Sequence, residues 1–360
     1  MIKKRITIAD VAREAGVSIG TVSRVLNQRE GTVAISEETK QRIFDIANQL
    51  GYQANPFASA LRTRRTGLIG VIIRHIRDPF LNQLAGELQV VASLKDFELL
   101  IGHANEDIMT AGRQINRMRS HLFDGVILLG DIPGDIALIE ELARLNTPFV
   151  SVSRGRQPGT PYIVIDEEKG VSLAMDHLCS LGHRRICFLG KPESLGLQSR
   201  RLAFEKYVYE KCLEWEEEYL QPCPNNYRAA LETALAILNL PRPPTALFCA
   251  TDLIALGAIN GALAYGCHLP DDLSIIGFDN LRLAEEVSPR LTTIEQPIRK
   301  MAEMAITTLI ELIENQSLDQ QCAENIVEPR LVLRESCSTP RQSPIVPRKQ
   351  IPLFSGDLEQ

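Results

Sequence analysis

The chain has 360 residues, 44% of them hydrophobic and 23% charged, and a net charge of −6. That length allows two or three domains with a buried core, and no run of about 18 apolar residues offers a membrane span. The acidic total argues against a nucleic-acid binder, but the charge is uneven: residues 1–66 carry eleven Lys/Arg against six Asp/Glu, a balance of +5, and the remainder 28 against 39, a balance of −11. A basic head on an acidic body is expected where only the head meets a polyanion.

The N-terminal stretch MIKKRITIADVAREAG has basic residues with no apolar segment behind them, so it does not read as a secretory signal. Eight cysteines are scattered without a CxxC pair. A cytoplasmic protein with free thiols is the expectation.

Thr7 and Asp10 form a T-x-x-D helix start, and Ile8, Val11, Ala12 and Ala15 follow at helical spacing. Gly16 ends that helix and Val17 fills a turn. Ser18 caps a second helix, SIGTVSRVLN, with Val22, Val25 and Leu26 facing inward. A third helix starts at Ser36, with Ile43, Ile46, Ala47 and Leu50 as its apolar stripe and Gly51 as its stop. Two short helices on a tight turn, with a supporting third, make a helix-turn-helix unit; the alternative is a plain three-helix bundle. The outer face of the second helix separates the two. Ile19, Gly20, Thr21, Ser23, Arg24 and Asn27 are small or hydrogen-bonding and none is acidic, as close approach to base edges and phosphates requires.

TIADVAREAGVSIGTVSRVLN, followed by SEETKQRIFDIANQLGYQANPFASAL, closely resembles the DNA-binding head of the lactose-repressor/galactose-repressor (LacI/GalR) family. One departure is the connection between Asn27 and Ser36, QREGTVAI, which is a few residues longer than usual in a region that lies near DNA in that family. Next comes NPFASALRTRRTG at 55–67, with Asn55 as a cap, Pro56 at the first helical position, and Phe57 and Leu61 on one face. The resemblance implies a hinge helix that orders on operator DNA. A leucine at Leu61 would wedge into the minor groove, bending the duplex, with flanking arginines on the phosphates. The alternative is a linker leucine packed on the body. The candidate DNA contacts are thus Thr7, Ser18, Ile19, Gly20, Thr21, Ser23, Arg24, Asn27, Asn55, Ala58, Leu61 and Arg62.

From Gly67 onward short apolar runs alternate with helical segments. GLIGVII, FELLIGH, GVILLG and PFVSVS read as buried parallel strands, with helices near 80–94, 110–121 and 135–145. YIVID, ICFLG, ALFCAT and SIIGFD continue the pattern, with helices near 168–181, 198–213, 226–239 and 252–265. This is an α/β body of two doubly wound lobes, with ligands expected at the carboxyl ends of the strands, between the lobes. LGHRRICFLG, RPPTALFCATDLIALGAINGALAYG, LPDDLSIIGFDN and SPRLTTIEQP match the family's body motifs in order, so the resemblance covers roughly 5–338. It implies a periplasmic-binding-protein-like fold and a homodimer on palindromic double-stranded operator DNA. The division expected is 1–54 helix-turn-helix head, 55–66 hinge helix or linker, 67–338 effector-binding and dimerisation domain with crossovers near 166, 296 and 325, and 339–360 disordered tail.

The candidate effector residues are Phe80, Arg154, Asp166, Arg200, Thr251 and Asp279. Asp279 ends SIIGFD and suits vicinal hydroxyls; the resemblance implies effector contact there and at Arg200. Phe80, in the loop after the first strand, can stack on a ring. Each residue has a structural alternative, an N-cap or a lobe–lobe salt bridge. Arg154 stands where purine-sensing relatives carry a stacking aromatic, and Ser194 where they carry an arginine, which disfavours purines and favours a sugar. Arg154 and Arg200 together also suit an anionic sugar.

His177, Cys179, His183 and Cys187 fall in HLCSLGHRRIC, which reads as a helix end, a turn and a strand start rather than a metal site. WEEEY at 215–219 reads as a solvated acidic patch. No phosphate-cradling loop and no nucleophile elbow occurs, so no cofactor, no metal and no catalysis are expected. The function expected is an effector-responsive, sequence-specific transcriptional repressor. The alternative is a cytoplasmic sugar-binding or sugar-converting α/β protein with an accessory nucleic-acid-binding head.

Overall fold

The computed structural model describes residues 6–26, 35–52, 65–120, 123–155, 159–211, 213–315 and 324–341. The chain divides between Thr66 and Gly67 into two units. The expectations for the 27–34 connection, for Asn27, for the stretch holding Asn55, Ala58, Leu61 and Arg62, and for the tail beyond 341 lie outside the described residues.

The first unit contains α1 (Ile8–Ala15), α2 (Ile19–Leu26) and α3 (Glu37–Leu50). The Asp10 carboxylate accepts from the Thr7 backbone N–H at 3.0 Å and its hydroxyl at 2.7 Å, which holds that carboxyl down at about 2. Gly16 and Gly51 end α1 and α3 at φ 66° and 65°, where a side chain would be strained. Val11, Ala12, Ala15, Val22, Val25, Ile43 and Ala47 form the buried core, with Ile46, Leu50 and Phe44 partly buried around it.

The second unit holds two six-stranded sheets. In chain order its elements are β1 (Leu68–Ile73), α4 (Pro79–Ser93), β2 (Glu98–His103), α5 (Ile108–Ser120), β3 (Gly125–Leu129), α6 (Ile136–Arg144), β4 (Phe149–Val152) and β5 (Tyr162–Ile165). There follow α7 (Glu167–Ser180), β6 (Ile186–Leu189), α8 (Leu195–Glu210), β7 (Leu220–Gln221), α9 (Tyr227–Leu238), β8 (Ala246–Cys249), α10 (Asp252–Tyr265), β9 (Ser274–Asp279) and the short α11 (Leu283–Glu286). The last are β10 (Thr292–Glu295), α12 (Ile298–Asn315), β11 (Glu324–Val327) and β12 (Arg330–Val332). The sheet orders are β11-β5-β4-β3-β1-β2 and β12-β10-β9-β8-β6-β7, parallel throughout except for β10 with β12. The central strands are buried on both faces, as parallel sheets require, and hence read as unbroken apolar runs.

The chain passes between sheets three times: at Asp166 after β5, at 296–297 after β10, and at 328–329 between β11 and β12. The 18-residue helix α12, which the sequence reading passed over, buries Met301, Ala302, Ala305, Ile306 and Leu309 against the first sheet. A Cβ at Gly125 would sit 2.9 Å from Leu309 Cδ1, so glycine lets this helix approach β3. WEEEY is not wholly a solvated patch: Tyr219 is fully buried and its hydroxyl donates to the Arg242 carbonyl at 2.9 Å. His183, 1% exposed, has Nδ1 2.8 Å from Thr245 Oγ1 and Nε2 2.9 Å from the Ser338 carbonyl. It ties the C-terminal segment to the second lobe. No helix among the described residues is long and apolar enough to cross a membrane.

Candidate functional site

Two surfaces carry the candidate residues. In the head, α2 leaves Ser18, Ile19 and Gly20 exposed, with Thr21, Ser23 and Arg24 half-buried beside them. Ser18 Oγ accepts from the Thr21 N–H at 3.1 Å and lies 2.8 Å from Thr21 Oγ1, so one hydroxyl pair caps the helix and faces outward together. Ile19 is 52% exposed, although the head has a core that could take it. Thr7 serves the α1 start described above.

In the body, a cavity of about 710 Å³ opens between the two sheets, at the carboxyl ends of their strands. Phe80, Arg154, Asp166, Arg200, Thr251 and Asp279 all line it. Parallel sheets place every βα turn on one edge, so residues far apart in sequence converge there. Gly155 and Asp131, from the first lobe, meet the start of α8 from the second. Asp131 Oδ2 accepts from the Leu195 N–H at 2.9 Å, and a Cβ at Gly155 would fall 2.4 Å from Leu195 Cδ1.

The centre of the site is Arg200. Its Nε donates to Glu167 Oε2 at 2.7 Å, and its Nη1 to the Ala250 carbonyl at 2.6 Å and to Asp279 Oδ1 at 3.3 Å. The guanidinium lies 3.6 Å over the Phe278 ring. Glu167 and the buried Asp279 raise its pKa against the desolvation that opposes them. Asp279 ends β9 at φ 121° and also accepts from Gln296 Nε2 at 2.7 Å. Burial pushes its carboxyl well above the usual range. Behind it, burial raises Asp252 to about 7, even though Oδ1 accepts from Thr293 Oγ1 at 2.5 Å and Oδ2 from the Leu281 N–H at 2.7 Å.

Three candidates have local roles as well. Asp166 caps α7 through Lys169 N–H at 2.9 Å. Thr251 caps α10 and donates to Asn225 Oδ1 at 2.8 Å. Phe80 is not in a loop but in the first turn of α4, buried behind the Asp78 cap, so little of its ring is open to stack on a ligand. Both guanidinium groups offered for an anionic sugar are paired within the chain: Arg154 with Asp135 through two bonds of 2.6 and 2.7 Å, and Arg200 with Glu167 and Asp279. Glu167, Gln296, Asp135 and the Arg74–Asp78 pair, joined at 2.7 Å, were missed. The E-E that follows Asp166 and the Q closing TTIEQ were visible, but nothing local showed which lobe each would face.

Residues 7–55 match the profile described as bacterial regulatory proteins, lacI family, and residues 175–337 that of a periplasmic binding protein-like domain. The chain is 34% identical over 337 residues to the HTH-type transcriptional regulator DegA of Bacillus subtilis (strain 168), covering 92% of this chain and 98% of that protein. It is 31% identical over 335 residues to the HTH-type transcriptional repressor CytR of Escherichia coli (strain K12), covering 92% and 96%. Among solved structures, the lac repressor dimer bound to operator and the anti-inducer ONPF superposes with a TM-score of 0.81 at 25% identity, covering 93% of this chain and all of that one. A cellobiose complex of the transcriptional regulator CelR gives 0.66 at 25% identity, covering 92% and 100%.

Proposed function

This chain belongs to the LacI family of bacterial regulatory proteins, and from that premise we propose that it is a DNA-binding transcriptional repressor whose operator affinity is set by a small molecule in the cleft. The observation that carries the reading is the joining, in one chain, of a helix-turn-helix head with a non-acidic outer face to a two-lobed body whose polar strand ends converge on one cavity. The relatives named above are transcriptional regulators, and solved relatives hold ONPF and cellobiose; a sugar or sugar derivative is the ligand class we carry over. The cleft is then a binding site, not a catalytic one. The protein works in the cytoplasm, where its DNA is.

The mechanism follows from the connections. Asp279 and Gln296 sit at the ends of β9 and β10, beside one crossover, and Asp166 is itself a crossover residue. A ligand bonded to these residues and to Arg200 stabilises one arrangement of the lobes over another. It changes DNA affinity only by its differential binding to the two. On DNA, Ile19, Gly20 and Arg24 read the major groove, and Leu61 acts as the minor-groove wedge between half-sites. Two copies are needed for a palindrome. The edge strand β2, with Leu100 and Ile101 exposed, and the adjoining Val90, Leu94 and Met109 supply the apolar face on which a second copy docks.

Selection of bound sequences from random duplex DNA, followed by competition with a panel of sugars, tests the reading. A palindromic site whose occupancy responds to one sugar is expected. Recovery of no common sequence at moderate salt would sink it.

A further inference from the structure

In a cleft such as this, an anionic ligand group is held by guanidinium groups or by helix N-termini. Here the three guanidinium groups and three of the helix N-termini already carry a carboxylate of the chain, while the N-terminus of α10 is capped by the Thr251 hydroxyl. Arg74 is bound by Asp78, Arg154 by Asp135, and Arg200 by Glu167 and Asp279. The N-terminus of α4 holds Asp78, that of α7 holds Asp166, and that of α8 holds Asp131 from the opposite lobe.

Among what remains, acceptors outnumber donors, the buried Nε of Arg74 being a lining donor without a hydrogen-bond partner among the described residues. Gln296 is 2% exposed and lines the cavity. Its Nε2 donates to the Asp279 carboxylate, which fixes the amide's orientation, and its buried Oε1 has no hydrogen-bond partner among the described residues. Such an atom calls for a donor that the described residues do not supply. One oxygen each of Asp131, Asp166 and Asp279 likewise accepts no bond among the described residues. The lining side chains number four basic and six acidic, a balance of −2.

We propose that the cleft takes a polyhydroxylated ligand bearing a protonated amine, an amino sugar, and rejects sugar phosphates and sugar acids. The proposal rests on the cleft being the effector site. Closing the lobes on a neutral ligand buries the residual negative charge uncompensated; an ammonium group neutralises part of it and brings donors of the kind these acceptors lack. Asp279 shows where that need is greatest. Burial holds its carboxyl high, and the charges of Asp252 and Asp78 add to the effect against the pull of Arg200.

The test is isothermal titration of the full chain with D-glucosamine, D-galactosamine and D-mannosamine, below the pKa of their ammonium groups. Each is paired with its neutral parent hexose and its N-acetyl derivative, with glucose 6-phosphate and glucuronate as the anions. At least one amine should bind tighter than its neutral and acidic counterparts by about tenfold or more. A neutral or acidic counterpart within that margin, or binding by none of the amines, overturns the proposal. A parallel shift assay on the selected operator separates the two readings. A neutral or acidic sugar that binds within that margin and shifts operator affinity overturns the amine preference while the regulator reading stands. Recovery of no selected sequence removes the regulator reading and leaves the amine result to the titration alone.

Discussion

Asp279 combines a burden and an opportunity. At φ 121° it occupies backbone space that asparagine tolerates and alanine does not, so Asp279→Asn is the cleaner variant. The amide keeps an oxygen for Gln296 and Arg200 and replaces the second carboxylate oxygen with a donor. Loss of a charge-assisted hydrogen bond is worth about 1.5–3 kcal/mol, or about 10–100-fold in effector affinity. Operator binding without effector should be unchanged; titration of effector in an operator-shift assay measures both. Gly20 makes the opposite argument. A Cβ there would meet only Ser18 Oγ at 3.6 Å, an ordinary contact, so the fold has no need of glycine in this helix. Gly20→Ala should stabilise the head by about 0.5–1 kcal/mol. If closeness to base edges is why glycine is there, the same change weakens operator binding. A thermal melt and a binding isotherm on one preparation decide it, and unchanged DNA affinity would remove Gly20 from the contact face.

At the scale of elements, the head was legible because its signals are local. Thr7–Asp10, Ser18–Thr21 and Ser36–Thr39 are contacts within three residues, and the two glycine stops need only a positive φ. Helix α12 carries the same local signal, its buried positions recurring at helical spacing. His183 joins three elements through one ring. Burial lowers its pKa, so the folded chain resists the imidazolium form. Below the ordinary imidazole value of about 6.5 the unfolded chain then binds more protons, and stability falls as pH drops through that value toward the folded pKa. His183→Gln cannot titrate, and its urea midpoint should fall less over that interval than the parent's. The proposed Leu61 wedge makes a separate prediction. Leu61→Ala should weaken specific operator binding while weak, salt-dependent non-specific binding persists, because the latter is phosphate attraction. Equal loss of both, measured on operator and random duplexes, would rule the wedge out.

The whole molecule brings together what no segment contains. The cleft draws Asp78 and Asp131 from the first lobe, Arg200 and Asp279 from the second, and Asp166 and Gln296 from the crossovers. The edge strand β2 leaves Leu100 and Ile101 exposed where a monomer has no use for them. Leu100→Asp should give monomers by sedimentation. It should also lower operator affinity by about 100-fold, since the two heads lose their shared effective concentration. A dimer that survives the change would place the interface elsewhere.

The sequence by itself determined the helix-turn-helix head, the alternation of strands and helices, and six of the residues that meet in the cleft. These depend on spacing, capping and apolar periodicity, which act over a few residues. It also carried the family, through motifs in order along nearly the whole chain. Only the tertiary structure decided the state of the charges. Arg154 and Arg200 read alike in sequence as anion clamps, but Asp135 lies 19 residues away from the first, and Glu167 and Asp279 lie 33 and 79 from the second. Coulomb pairing follows distance in space, not along the chain, so the cleft's balance of donors and acceptors exists only once both lobes have folded.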